Sequence, residues 1–246
     1  MVFNKKKILA IIPCRSGSKK IPNKNLVKIS NKTLIQYAVI FAKKCNFFDK
    51  IVVSTDSPKY KKHALEVGAE APFLRPKKLS ADKSKDIEFV NHTLRYLKKS
   101  ENYFPDYVVH LRPTSPLRKI KDLKKALGIM NKYQNIDSIK TISETNDPVF
   151  KMWFLNHNKL ISPVTNKKTK FLEPFNTPRQ LLPRSYIQSA LFDIYRAKSI
   201  TKDCLSGRQI YGLLTDKYLD IDNPIDLKKI RIYKKEFREF YKFICS

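Results

Sequence analysis

The sequence predicts an α/β fold, a mostly parallel β-sheet covered by helices on both faces. Short aliphatic and β-branched runs recur along the chain, and segments with apolar residues at helical spacing fall between them. That alternation is the pattern of crossover-connected parallel strands. A hydrophobic fraction of 42% with 11% aromatics, over 246 residues, supplies enough apolar surface for one folded domain. The expectation is a single domain over 1–246 with an inserted arm at about 150–186.

The first strand is "KILAIIP", 7–13. Basic residues before this apolar run resemble the start of a secretory leader, but the run is too short and lacks a small-residue cleavage site. Residues 33–45 follow as a helix, with Leu34, Ile35, Ala38, Val39 and Ala42 on one face and Thr33 at the N-cap. "KIVVSTD" (50–56) is the next strand. The helix over 86–99 starts with acids and ends with lysines, as the helix dipole prefers. "DYVVHLRP" (106–113), a helix over 121–133 and "SIKTIS" (138–143) continue the alternation. From about Asp147 to Tyr186, prolines and aromatics replace periodicity, with a hairpin turn at "HNK". Strand character returns at 190–197 and 210–216, and an amphipathic helix over 223–244 closes the chain.

Composition excludes several classes. No apolar run reaches membrane-spanning length, so no membrane insertion is expected. Cys14, Cys45, Cys204 and Cys245 are scattered without a metal-binding spacing, which fits reduced thiols and a cytoplasmic location. His63, His92, His110 and His157 are equally dispersed and read as ordinary surface or core residues. The net charge of +28 is spread over the whole chain, with no zinc-finger, basic-zipper or RNA-binding motif beside it. No specific nucleic-acid partner is expected.

Three segments carry chemistry. In "IIPCRSGSKKIPNKN" (11–25) a strand ends in a basic loop. Amides around Ser16, Gly17 and Ser18 could form an anion-binding nest, with Arg15 and Lys24 adding charge. Taken alone, such a loop is ordinarily a solvated turn, and it is neither a Walker loop nor G-x-G-x-x-G. In "HLRPTSPLR" (110–118), Arg112, Thr114, Ser115 and Arg118 fall at the carboxyl edge of the sheet, where α/β proteins bind ligands. A proline-stiffened connection explains that stretch equally well. In "DIDNPID" (220–226), Asp220 and Asp222 alternate on one face of a strand end and suit a hard cation such as Mg²⁺. Asp226 suits the first turn of the last helix. Cations beside metal-binding carboxylates describe a site for a phosphate-rich substrate.

"IIPCRSGSKKIPNKNL" resembles the I-P-A-R-x-G-S-K-x-x-x-x-K-N signature of acylneuraminate cytidylyltransferases. "VVSTDS", "FLRPKKLSADKS", "HLRPTSPLR", "PRQLLP" and "DIDNPIDL" resemble further blocks of that family, in the same order, from about Lys7 to about Leu227. The resemblance implies a Rossmann-type nucleotide-diphospho-sugar transferase fold with a protruding dimerisation arm, and hence a homodimer. It implies transfer of CMP from CTP to the anomeric hydroxyl of an acidic 2-keto sugar, with Mg²⁺ as cofactor on Asp220 and Asp222. Arg15, Lys24 and Asp222 would be catalytic. Arg15, Ser16, Gly17, Ser18, Lys24, Asn25, Asp82, Arg112, Thr114, Ser115, Arg179, Gln180 and Ser189 would bind substrate. Three positions depart from the family: Cys14 stands for the usual Ala, Arg112 for Gln, and Ser189-Ala190 for Asn-Gly near the sugar. A cytidylyltransferase for a 3-deoxyoctulosonate and a noncatalytic nucleotide or polyanion binder are the alternatives. The Lys24-Asn25 end of the first loop speaks against the former, and the joint presence of Arg15, Lys24, Asp220 and Asp222 against the latter.

Overall fold

Strand β1, Ile8–Pro13, is almost wholly buried and sits near the middle of a six-stranded sheet. The structure, a computed structural model, describes residues 6–157, 159–165, 167–216 and 219–232. After β1 come a small hairpin, β2 (Lys28–Ile29) and β3 (Lys32–Thr33), helix α1 (Leu34–Cys45), β4 (Lys50–Ser54) and α2 (Pro58–Glu66). Helix α3 (Asp86–Glu101), β5 (Tyr107–His110), α4 (Ile120–Lys132) and β6 (Ser138–Glu144) complete the first two-thirds. Then follow β7 (Trp153–Leu155), β8 (Ile161–Pro163), β9 (Tyr186–Arg196), β10 (Ile210–Leu214) and α5 (Pro224–Ile232).

The sheet order is β10-β6-β9-β5-β1-β4. β1 pairs in parallel with β4 and β5, and β10 pairs in parallel with β6. β9 runs antiparallel to both β5 and β6, so the sheet is mostly parallel with one reversed strand inside it. Alternation along β1 divides the core. Ile8, Ala10 and Ile12 pack with α1 and α4, while Leu9 and Ile11 pack with Phe89, Val90, Leu94 and Leu97 of α3. Both faces are therefore covered, as the unbroken apolar strands require. A third cluster gathers Ile21, Ile29, Leu34, Tyr37, Ile221 and Ile230, and it seats α5 against the loop that follows β1.

Local signals explain most boundaries. Thr33 caps α1 by accepting from Gln36 N at 3.1 Å, while Gln36 Oε1 accepts from Thr33 N at 2.7 Å, a reciprocal capping box. Asp86 and Glu88 open α3, and Lys98 and Lys99 close it. Helix α2 lies outside the predicted elements, although Ser57 caps it and Pro58 occupies its first turn. The β2–β3 hairpin is likewise unforeseen. β7 and β8 form the expected hairpin of the arm, with Trp153 opposite Pro163 and its ring 4.7 Å from that of Phe175.

One expectation needs correcting. β10 ends at Leu214, so Asp220 and Asp222 lie in irregular chain beyond the strand. Their segment is held instead by buried Ile221, whose N–H donates to Thr114 O at 2.9 Å. Of the closing helix, the part past Ile232 lies outside the described residues, as does Cys245. Among the described residues no helix is long and apolar enough to cross a membrane, and Cys14, Cys45 and Cys204 are free thiols.

Candidate active site

The loop after β1 is organised by acids from other segments. Ser16 donates to Asp56 twice, from N at 2.9 Å and from Oγ at 2.7 Å, and Ser18 N donates to Ser16 O at 2.9 Å. Two of the three amides expected to cradle an anion are thus already engaged, which corrects the nest reading. Gly17 is exposed and has no neighbour within 4 Å of where a Cβ would stand, so no close approach demands glycine there. Positive charge reaches the cleft through side chains. Arg15 donates to Ala81 O and Asp82 Oδ1, both at 3.1 Å, and buried Asn25 donates to Arg15 O at 3.1 Å, fixing its backbone. The Lys19 ammonium, with Arg15 beside it, draws the Asp82 carboxyl below its ordinary range. Lys24 Nζ meets Asp222 Oδ1 at 3.0 Å.

These side chains open onto a cleft of about 290 Å³ at the carboxyl ends of β1 and β5. Of the anticipated residues, Arg15, Ser18, Lys24, Asn25, Asp82, Arg112 and Thr114 line it. Ser115 is buried just behind, donating to Asp220 Oδ1 at 2.8 Å. That bond, the Lys24–Asp222 pair and the Ile221–Thr114 bond together bring Asp220 and Asp222 to the cleft margin. Each carboxylate keeps one oxygen outside these bonds. Two hard oxygen ligands beside phosphate-seeking cations fit Mg²⁺, which takes one or two carboxylates and completes its shell with water and phosphate. Among the described residues no group of three or more His, Cys, Asp or Glu is placed to hold a metal. Asp226 serves the helix start, accepting from Asp222 N and Asn223 N at 3.0 Å.

Other lining residues were not singled out from sequence. Arg75, only 4% exposed, reaches the cleft with its guanidinium 5.4 Å over the Phe89 ring, and its Nε and Nη2 have no hydrogen-bond partner among the described residues. Burial lowers its pKa, opposed by the Asp56 carboxylate. His110 is fully buried with no hydrogen bond to either ring nitrogen among the described residues, its Nδ1 standing 3.8 Å from Asp86 and 3.9 Å from Asp193, and burial, with Arg112 and Lys140 nearby, pushes its pKa well below the usual imidazole range. Unmatched buried donors facing a cleft are costly unless a ligand meets them. An arginine held between an apolar pair and a proline, in "FLRP", was the available signal.

Arg112 bridges two carboxylates, Asp193 at 2.7 Å and Asp86 at 2.8 Å. Burial disfavours its charge, yet those carboxylates hold its pKa above the ordinary value. Arg118 is structural. It is buried, donates to Leu191 O at 2.7 Å and to Arg112 O, and burial lowers its pKa to about 9. Arg179 and Gln180 are exposed on a short turn outside this lining, with Arg179 Nη1 donating to Asn146 O at 3.3 Å. Ser189 is buried and shares a 3.1 Å hydrogen bond with Thr215 Oγ1.

A mostly parallel sheet whose carboxyl edge holds a cleft lined with cations and rimmed by two free-edged carboxylates defines an α/β nucleotide-handling protein. The chain belongs to the cytidylyltransferase family, whose sequence profile matches residues 9–240. It is 30% identical over 235 residues to the post-translational flagellin modification protein B of Campylobacter coli, covering 93% of this chain and 95% of the relative. It is 30% identical to the pseudaminic acid cytidylyltransferase of Campylobacter jejuni, covering 93% and 97%. With the N-acylneuraminate cytidylyltransferase of Escherichia coli it shares 28% identity over 95% of this chain and 54% of that longer protein, so it spans about half of it. In three dimensions it superposes on the CTP complex of a CMP:2-keto-3-deoxy-manno-octonic acid synthetase with a TM-score of 0.68. That match covers 94% of this chain and 99% of the other at 17% identity, a likeness of fold.

Proposed function

We infer that this protein transfers CMP from CTP to the anomeric hydroxyl of an acidic nine-carbon 2-keto sugar of the sialic, pseudaminic or legionaminic kind, releasing pyrophosphate. The observation that carries the reading is that Arg15 and Lys24 line one cleft while Asp222, paired with Lys24, and Asp220, bonded to Ser115, come to its margin from the other end of the chain, in a member of this family. The sugar hydroxyl oxygen attacks the α-phosphorus. The bond from that phosphorus to the β-phosphate bridging oxygen breaks, the bond's electron pair leaves with pyrophosphate, and the hydroxyl proton passes to solvent water. Arg15 and Lys24 stabilise negative charge on the departing pyrophosphate. The Lys24–Asp222 pair joins a mostly buried ammonium to a largely exposed carboxylate, so an arriving triphosphate can exchange with it at modest cost. Mg²⁺, held by Asp220 and Asp222, would supply charge neutralisation at the phosphates.

The relatives named for sialic and pseudaminic acids favour a nine-carbon acid over the eight-carbon alternative. We also propose a homodimer formed through the arm. Phe154, Leu155, Leu160, Ile161 and Leu172 are all more than half exposed there, an apolar patch suited to a second copy.

Pyrophosphate release from each of the four NTPs, against a panel of keto-sugar acids, tests the activity. Release with CTP and a nine-carbon acid, abolished by chelation of Mg²⁺, is expected. Asp222→Asn should lower turnover by about a hundredfold or more while leaving the melting curve intact. Wild-type rates in that variant, or after chelation, would refute the metal assignment.

A further inference from the structure

Asp193 is the sole acid of β9 and is wholly buried in the sheet. The antiparallel register sets it opposite His110 of β5 and Lys140 of β6. Its carboxylate accepts from Arg112 Nη1 at 2.7 Å, Tyr195 Oη at 3.1 Å and Gln188 Nε2 at 3.2 Å, with Lys140 Nζ also at 3.2 Å. A carboxylate so saturated in the interior cannot reorient without stranding its partners. Arg112 is therefore anchored at one end, and its other nitrogen, Nη2, lies 2.8 Å from Asp86 Oδ2. Asp86 is the first residue of α3, close to half exposed, and it lines the cleft together with Arg112.

The result is a donor and an acceptor side by side on the cleft wall. Each has capacity beyond that mutual bond, a second N–H on Arg112 Nη2 and the Oδ1 of Asp86, so two oxygens on neighbouring carbons of a sugar can meet them, one accepting from Arg112 and the other donating to Asp86. The surrounding charge matters too. Arg112 and Lys140 are balanced by Asp86 and Asp193, so these four side chains carry no net charge among themselves. Arg112 also leans from β5 towards β9, away from the β1 loop.

We propose that Asp193 is a positioning residue that locks Arg112 beside Asp86, and that the Arg112–Asp86 pair selects the acceptor sugar by a pair of neighbouring hydroxyls. This rests on the cytidylyl-transfer reading. It adds which part of the substrate this wall recognises and which buried residue sets it.

The full chain would be assayed with its best acid and with analogues of that acid lacking one hydroxyl each, reading KM for sugar and for CTP separately. One analogue should lose about tenfold or more in kcat/KM with the wild type, because it forgoes a hydrogen bond to a charged group of the wall. Asp193→Asn and Asp86→Asn should each raise the sugar KM by about tenfold, leave the CTP KM within about twofold, and erase the penalty for that analogue. Asp86→Asn changes a side chain close to half exposed with no change of shape, so it carries the test should Asp193→Asn fail to fold. Arg112→Lys should not restore discrimination, since an ammonium lacks the two-armed geometry. An undiminished penalty in Asp86→Asn, equal penalties for all analogues, or a rise in KM for CTP with loss of 2′-deoxy-CTP turnover would overturn the proposal, the last by assigning the pair to ribose. A wild type that transfers CMP to no keto-sugar acid would sink the function reading and this inference with it, a failure visible without any variant.

Discussion

Arg15, Lys19 and Lys20 stand within one short loop, yet their surroundings differ. Arg15 lines the cleft, and its guanidinium is oriented by Ala81 O and Asp82 while Asn25 secures its backbone. Lys19 leaves most of its side chain in solvent and meets Asp82 from outside, and Lys20 is exposed. Exposed ion pairs of that kind contribute little, because water screens them. Arg15→Ala should accordingly raise KM for CTP and lower kcat, with kcat/KM falling about a hundredfold, whereas Lys19→Ala and Lys20→Ala should stay within about threefold. Steady-state kinetics on the three variants makes the comparison. Equal effects would mean a diffuse positive patch in place of a directed contact.

Strand β9 is the element that shapes the cleft's far wall, and it does so at some local cost. Between the pairs Lys140–Asp193 and Ile142–Gln188 it carries extra residues, a bulge that holds Ala190 at φ +54°. A residue with a Cβ in that left-handed region is strained, and glycine is not. The family's usual glycine at this position therefore has a backbone reason, which the alanine here forgoes. Ala190→Gly should stabilise the protein by about 1 kcal/mol, a rise of roughly 2–4 °C in Tm for a chain of this size. A melt at neutral pH reads it, and an unchanged or lower Tm would show that glycine's greater unfolded-state freedom cancels the relief.

At the scale of the molecule, the sheet and its helices bury the core while the arm leaves a run of large apolar side chains uncovered. Trp153 and Phe175 pack on each other, but Phe154 and Leu155 beside them do not reach the core clusters. A second copy would cover them. The net charge of +28 opposes association at low ionic strength, so the test belongs at physiological salt. Light scattering at micromolar concentration should give twice the chain mass, and Phe154→Asp with Leu155→Asp should shift it to one. A monomeric wild type with full activity would refute the interface.

The α/β class, the principal strands, and the placement of Arg15, Lys24, Asn25, Arg112 and Thr114 at the sheet's carboxyl edge were legible in the sequence. They depend on periodicity and on motifs a few residues long, which the chain carries locally. Other features belong to the tertiary structure alone. Ser16 and Ser18 look free to bind an anion until Asp56, some forty positions away, engages the Ser16 amide. Asp193 looks like one polar residue in a strand until β9 reverses direction and sets it between His110 and Lys140, where Arg112 can reach it. Arg75 and His110 gain their meaning only from burial, which leaves Nε and Nη2 of the one and both ring nitrogens of the other without hydrogen bonds among the described residues. A residue's type and immediate neighbours are written in order along the chain. Its hydrogen-bond partners and dielectric surroundings arise only when segments distant in that order are packed together.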